Sequence, residues 1–264
     1  MKVLANDGIS KSGIEALEKG GFEVITTKVA QEQLENYINE NNISVLLVRS
    51  ATTARKALID ACPGLKIIGR GGVGMDNIDV TYAREKGLSV INTPAASSSS
   101  VAELVFAHLF GGVRYLYDSN RNMPLDGDTR FKDLKKNYAK GSELRGKTIG
   151  IIGFGRIGQS LATYALGAGM KVIAIERNAR IQPITLKIGG QTIEVPVKVV
   201  ADLSEVLNQL DYISLHVPKQ ADGGAVLGAK EFAGMKKGVR LVNAARGGVI
   251  DEQALLEALN NGTV

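Results

Sequence analysis

The sequence predicts an α/β protein built on two doubly wound parallel sheets, and three observations carry that prediction. Along residues 2–91 short apolar runs alternate with amphipathic segments, the pattern of parallel strands joined by helices. A serine-rich break at residues 95–100 interrupts this pattern, and a second alternation begins near Thr148. The first strand of that second set runs straight into Gly153-x-Gly155-x-x-Gly158 and then into a helical pattern.

The totals agree with two medium domains, expected at residues 1–94 and 95–264 of the 264 present. Hydrophobic residues at 44% and charged residues at 22% match ordinary globular usage and exclude a disordered or fibrous chain. No apolar run approaches the roughly 18 residues that span a bilayer, and the amino terminus reaches Asp7 too early for a secretory signal, so a cytoplasmic protein off the membrane is expected. One cysteine, Cys62, permits no internal disulfide and reads as a packing residue. The net charge of +5 is scattered over both halves, aromatics are 5% and tryptophan is absent, which argues against nucleic acid and for small anionic ligands. No metal site is expected.

In the first domain the apolar runs at 2–5, 23–26, 45–48, 66–69 and 89–91 read as strands. Residues 10–19, 31–39, 55–61 and 80–86 read as helices between them. Ligands of such sheets gather at the carboxyl ends of the strands, where two loops carry unusual residues. One is Arg49-Ser50-Ala51-Thr52; the other runs from Arg70 through Gly71-Gly72-Val73-Gly74 to Asp79. Successive backbone N–H groups at Gly72, Val73 and Gly74 are candidates for a carboxylate nest, with Arg49 or Arg70 on a second anion and the Ser50 hydroxyl beside them. Ser100 and Glu103 fit a capping box, so the serine run is read as a hinge followed by a connecting helix to about residue 117. Within that helix His108 reads as a core or interface residue. Residues 118–140 are polar and read as irregular, with Lys132, Lys135, Lys136 and Lys140 on a solvated face.

In the second domain each glycine of the motif has its own reason. Gly153 permits the tight turn, Gly155 admits a pyrophosphate to the backbone, and Gly158 lets the helix pack on the strand, so that Arg156 and Ile157 present N–H groups to the phosphates. Glu176 ends the next strand 18 residues beyond Gly158, where a carboxylate accepts the adenosine ribose hydroxyls. Residues 184–188 and 192–197 flank Gly189-Gly190 as a hairpin, read as an inserted surface element. Residues 203–210 read as a helix. A buried strand then ends at His216-Val217-Pro218, near the cofactor edge, with a structural role favoured for His216. A further strand ends at Asn243, and Ala244-Ala245-Arg246-Gly247-Gly248 leads into a helix capped by Asp251. A guanidinium at that end of the cofactor sheet suits a carboxylate, gripped by two hydrogen bonds.

Taken together these blocks resemble the D-isomer-specific 2-hydroxyacid dehydrogenase family. The resemblance rests on 48–52, 69–79, 92–94, 100–104, 153–158, 215–218 and 242–252, in that order, and covers nearly the whole chain. It implies a flavodoxin-like substrate domain and a Rossmann NAD-binding domain, and a homodimer formed through the region after residue 98. It also implies hydride transfer between NAD and a small anionic 2-hydroxy or 2-keto acid. The Arg-Ser-Ala-Thr loop favours the phosphoglycerate-oxidising members, which make 3-phosphohydroxypyruvate at the entry of serine synthesis. By the same resemblance Arg246 binds the substrate's carboxylate and carbonyl oxygen, and Arg49, Ser50 and the 72–74 turn hold its anionic ends.

Two departures stand out. The ribose acid is glutamate rather than the commoner aspartate, and Arg177 follows it; NAD is expected because a carboxylate repels a 2′-phosphate. In the family a glutamate and a histidine follow the arginine block by some tens of residues, and neither His108 nor His216 matches that position. The expectation is a piece of a longer enzyme, both domains lacking their carboxyl-terminal completion, that binds NAD and turns over slowly. Glyoxylate or hydroxypyruvate reduction within the family and an NAD-sensing binding protein are the rival expectations.

Overall fold

The five strands expected in the first unit all form, and all pair in parallel. The computed structural model describes residues 1–220 and 222–264, which divide into the units Met1–Ser97 and Ser98–Val264. The first unit holds β1 (Lys2–Ala5), β2 (Glu23–Ile25), β3 (Ile43–Val48), β4 (Ile67–Arg70) and β5 (Ser89–Asn92) in the order β2-β1-β3-β4-β5. That is the flavodoxin-like order, whose switch point lies between β1 and β3. Helices α1 (Lys11–Lys19), α2 (Leu34–Glu40), α3 (Lys56–Ala61) and α4 (Val80–Glu85) make the crossovers. Ser10 caps α1 by accepting from the Gly13 N–H at 3.2 Å. Leu4, Leu46 and Ile68 from the central strands are fully buried with Leu34 and Ile38 of α2, which fixes one core for the unit. Cys62 is buried in that core, where desolvation and the nearby Glu35 charge push its thiol up to about 11, so it packs and does not react.

The second unit opens with α5 (Ser98–Val113), which begins two residues before the expected cap. Ser98 is buried with Ala102, Val105, Leu109 and Val113 along one face, so packing of that face draws the serines into the helix, and Ser100 is an interior residue rather than a cap. His108 is exposed on α5, outside the core. The stretch read as irregular is helical instead: α6 (Leu116–Tyr138) is broken at Arg130, where φ is −121°. A straight helix would separate residues 122 and 138 by about 24 Å. Yet Asn122 donates to the Tyr138 hydroxyl at 3.0 Å, so the chain doubles back at the break. Pro124 lies inside α6, and the chain turns at neither it nor Gly127. The four lysines of this region are exposed, as expected.

The second sheet contains β6 (Thr148–Ile152), β7 (Lys171–Ile175), β8 (Arg180–Ile188), β9 (Gln191–Val200), β10 (Tyr212–Leu215) and β11 (Arg240–Asn243), ordered β11-β10-β6-β7-β9-β8. All neighbours are parallel except β8 and β9, which form the predicted hairpin across Gly189 and Gly190, both at positive φ. The hairpin is not an inserted surface element. The end of β9 pairs with β7 from Ile173↔Lys198 to Ile175↔Val200, and Ile184, Val197 and Val199 join the core. Helix α7 (Arg156–Gly167) and α5 cover one face; α8 (Ala229–Ala233), α9 (Glu252–Asn260) and two short 3-10 turns, in place of the single helix expected at 203–210, cover the other. Among the described residues no helix is long and apolar enough to cross a membrane.

Candidate functional site

Strand register assembles the predicted cofactor residues into a row. Across the second sheet Asn243, Leu215, Ile152, Ile175 and Val200 are consecutive partners. One residue further on, at the carboxyl ends, stand Ala244, His216, Gly153 and Glu176. At about 4.8 Å per strand this row runs roughly 14 Å from Glu176 to Ala244, the reach a dinucleotide needs to lie across the sheet.

The three glycines meet three different surroundings. Gly153 has φ of 92°, and a Cβ there would sit 2.7 Å from the His216 carbonyl oxygen and 2.8 Å from Val217 Cγ1. Its N–H donates to the Ile175 carbonyl at 2.9 Å, which ties the turn to the base of Glu176. A Cβ on Gly158 would overlap the Gly153 carbonyl, so helix and turn pack at a separation that only glycine permits. Gly155, the residue before α7, would place its Cβ in open space. The turn is therefore closed from below by protein and open above, with the N–H groups of Arg156 and Ile157 at the helix start. These features fit a pyrophosphate.

His216 is held by its neighbours rather than poised for proton transfer. Its backbone N–H donates to the Ile152 carbonyl at 2.7 Å and its Nε2 is 2.9 Å from Ser214 Oγ, while Nδ1 is buried with no hydrogen-bond partner among the described residues. Burial pushes the imidazole down to about 4, so it is neutral at pH 7. Val217 follows it as the wall beside Gly153. At the end of β11 the Asn243 side chain builds the arginine loop: its Oδ1 accepts from the Ala245 N–H at 3.0 Å and its Nδ2 donates to the Arg246 carbonyl at 2.9 Å. Arg246 Nη1 donates to the Ala245 carbonyl at 2.8 Å. Asn243 was no site candidate in the sequence; an asparagine ending a strand before a tight loop is the signal that marks it.

At the switch point of the first sheet a carboxylate scaffolds the Arg49–Thr52 loop. Asp7 accepts from the Arg49 N–H at 2.6 Å, the Thr52 N–H at 3.1 Å and the Thr52 hydroxyl at 2.6 Å. Burial works against its charge, but the hydrogen bonds from Thr52 and the loop backbone outweigh it and hold the carboxyl below its ordinary value. Asn6, buried behind Asp7, donates to Thr52 Oγ1 at 2.8 Å and to the Val29 carbonyl at 3.0 Å. From the second loop Asn77 Nδ2 donates to the carbonyls of Arg49 at 2.8 Å and Thr52 at 2.6 Å, and Arg70 Nε donates to Arg49 at 3.2 Å. Arg49 and Ser50 are thereby presented at the exposed rim, with Arg70 bound behind them. Sequence reasoning missed Asp7, Asn6 and Asn77, which act on the backbone of a loop distant in sequence. The nest reading needs one change: the Gly72 N–H donates to the Arg70 carbonyl at 3.0 Å, which leaves Val73 and Gly74 as its donors.

Glu176 ends the row on its outer side and is paired with Arg180 Nη2 at 2.5 Å. No group of three or more His, Cys, Asp or Glu among the described residues is placed to hold a metal ion.

Comparison with known proteins adds the family. Residues 106–264 match the model of the NAD binding domain of the D-isomer specific 2-hydroxyacid dehydrogenases. A hydroxypyruvate reductase from Thermotoga maritima is 40% identical over the whole chain, which covers 80% of that protein. A D-3-phosphoglycerate dehydrogenase from Methanocaldococcus jannaschii is 37% identical over the whole chain, which spans about half (47%) of its length. The solved structure of an acyclic imino acid reductase in complex with NADPH and D-Arg is 31% identical with a TM-score of 0.78, over 100% of this chain and 80% of the other. The glycine turn, the acid at the end of β7 and the arginine loop after β11 thus belong to an NAD-binding domain, and the chain belongs to the D-isomer specific 2-hydroxyacid dehydrogenase family.

Proposed function

We propose that the chain takes part in NAD-linked oxidation of D-3-phosphoglycerate to 3-phosphohydroxypyruvate, with Arg49 and Ser50 on the phosphate. The observation that carries this is the Arg49–Thr52 loop, held on Asp7, Asn6 and Asn77 with its arginine at the rim. Its support among relatives is the similarity to a D-3-phosphoglycerate dehydrogenase. In this reading Arg246 forks onto the carboxylate and the C2 oxygen, orienting C2 and stabilising negative charge on that oxygen when the reaction runs as reduction. Bound NAD supplies the hydride acceptor. Val217 and Pro218 wall the nicotinamide end, Gly153, Gly155 and Gly158 seat the pyrophosphate, and Glu176 takes the ribose. The proton of the C2 hydroxyl needs a base that titrates near neutrality, which the depressed pKa of His216 does not provide.

A second reading, reduction of hydroxypyruvate or glyoxylate, has the 40% identical reductase in its favour. The two separate on the phosphate. In the first, Arg49→Ala raises the apparent dissociation constant of 3-phosphohydroxypyruvate by about 10–100-fold and leaves that of hydroxypyruvate within about threefold. Turnover or NADH fluorescence in the ternary complex reads it. An equal effect on both ligands, or none, favours the reductase. Support for a homodimer through the region after residue 98 comes from apolar side chains left exposed on α5 and α6: Leu104, Phe110, Leu116, Tyr117, Leu125 and Phe131.

A further inference from the structure

The corner beyond β7 gathers Glu176, Arg177 and Arg180 within five residues. Arg180 opens β8 opposite Val199, while the Glu176 N–H donates to the Val200 carbonyl at 3.0 Å, so the end of β9 lies between the two. The guanidinium reaches across it. Nη2 meets Glu176 Oε2 at 2.5 Å, Nη1 donates to the Asn178 carbonyl at 3.2 Å, and Nε donates to Gln182 Oε1 at 3.2 Å. All three nitrogens are engaged, so the hairpin fixes the fork and aims it at the ribose acid.

We infer that Arg180 is a cofactor-specificity residue, which neutralises Glu176 and lets the site accept NADP(H) as well as NAD(H). This rests on the proposed seat of the dinucleotide across the row from Glu176 to Ala244. An unpaired carboxylate at that place accepts the ribose hydroxyls and repels a 2′-phosphate. With Arg180 on Oε2 the repulsion is largely cancelled, and Arg177 turns the corner net positive. A carboxylate offers about four acceptor sites, so one bond to Arg180 leaves capacity for the hydroxyls of NAD(H). For NADP(H) the guanidinium stays on Glu176 and offers its remaining N–H groups to the phosphate. Both partners are about one-third exposed, at 36% and 34%, so the pair is open to a ligand.

Titration of NADH and of NADPH by nicotinamide fluorescence, on the chain as it stands, tests this. The unaltered chain is expected to bind the two within about tenfold of each other. Arg180→Gln leaves Glu176 unpaired and weakens NADPH at least about tenfold while NADH stays within about threefold; Arg180→Lys, which keeps the charge without the fork, falls between. If Arg180→Gln, folded by circular dichroism, leaves the NADPH-to-NADH ratio where it was, Arg180 does not set specificity. Failure of the unaltered chain to bind NADH is a separate result, which overturns the dinucleotide seat itself and this inference with it.

Discussion

Gly158→Ala is expected to cost the chain both its NAD site and part of its stability, whereas Gly155→Ala should cost the site alone. The two glycines lie three residues apart, Gly155 as the cap of α7 and Gly158 within its first turn, and they differ sharply in what surrounds them. A methyl on Gly158 overlaps the Gly153 carbonyl oxygen, and Ile151 Cγ2 stands 3.1 Å away, so neither side has a flexible end that can yield. The helix must lift from the turn, at about 1–3 kcal/mol or more of overpacking. The N–H groups that face the phosphates move with it, and affinity for NADH should fall by about 100-fold or more. Beyond its chain neighbours a methyl on Gly155 meets no atom of the described residues within 4 Å, and its backbone, at φ −74° and ψ −160°, suits any residue. Thermal stability should therefore change little, by about 0.5 kcal/mol for the poorer helix cap. The methyl nevertheless occupies the space through which a pyrophosphate reaches the backbone, and NADH affinity should fall at least about tenfold. Gly167→Ala, in open space near the end of α7, is the control and should leave both properties intact or raise stability slightly. Equal losses of stability in Gly155→Ala and Gly158→Ala, by differential scanning calorimetry, would contradict this division.

Asp7→Ala carries the largest effect expected in the first unit. It strands the Arg49 N–H, the Thr52 N–H and the Thr52 hydroxyl, of which the Thr52 groups are buried. At about 1–3 kcal/mol for each buried group left unsatisfied, the loss is on the order of 3 kcal/mol, or more than about 10 °C in a unit of this size. Asp7→Asn keeps an acceptor oxygen and should lose about half as much. Acid acts on the same contact. The folded carboxyl lies below its unfolded value, so its contribution is complete above the ordinary carboxylate range and is lost as pH falls through the depressed value. Unfolding by urea between pH 7 and pH 3 should accordingly show a steeper acid loss in the unaltered chain than in Asp7→Ala. Parallel pH profiles would mean that Asp7 does not hold the loop.

These two predictions also mark what the residue pattern disclosed and what it did not. Parallel strands wear their identity openly, because burial on both faces leaves runs such as Val45-Leu46-Leu47-Val48 with no polar alternation. The glycine motif was legible from its spacing directly after a strand, although the reasons behind it are mixed: Gly158 meets the nearby Gly153 carbonyl, Gly153 meets the His216 carbonyl from the neighbouring strand, and Gly155 faces open space. Asp7 was not legible, since its partners lie 42 and 45 residues away and only the folded sheet order brings β1 beside β3. Asn77 and Arg180 belong to the same class, side chains whose role depends on what tertiary contact sets beside them. α6 failed for the opposite reason. Its polar composition, with Pro124 and Gly127, argues locally against a helix, and doubling back at Arg130 with the Asn122–Tyr138 contact decides otherwise. The β8–β9 hairpin was recognised from its Gly-Gly turn, but pairing of β9 with β7 needs a partner strand that no local pattern names.

The account stands on a dinucleotide lying along the carboxyl ends of β7, β6, β10 and β11, and a crystal structure of the chain with NADH tests it most directly. The expected density has its pyrophosphate above Gly155, hydrogen-bonded to the N–H groups of Arg156 and Ile157, with the adenosine ribose at Glu176 and the nicotinamide toward Ala244. A dinucleotide bound elsewhere, or with its phosphates away from the start of α7, would contradict it.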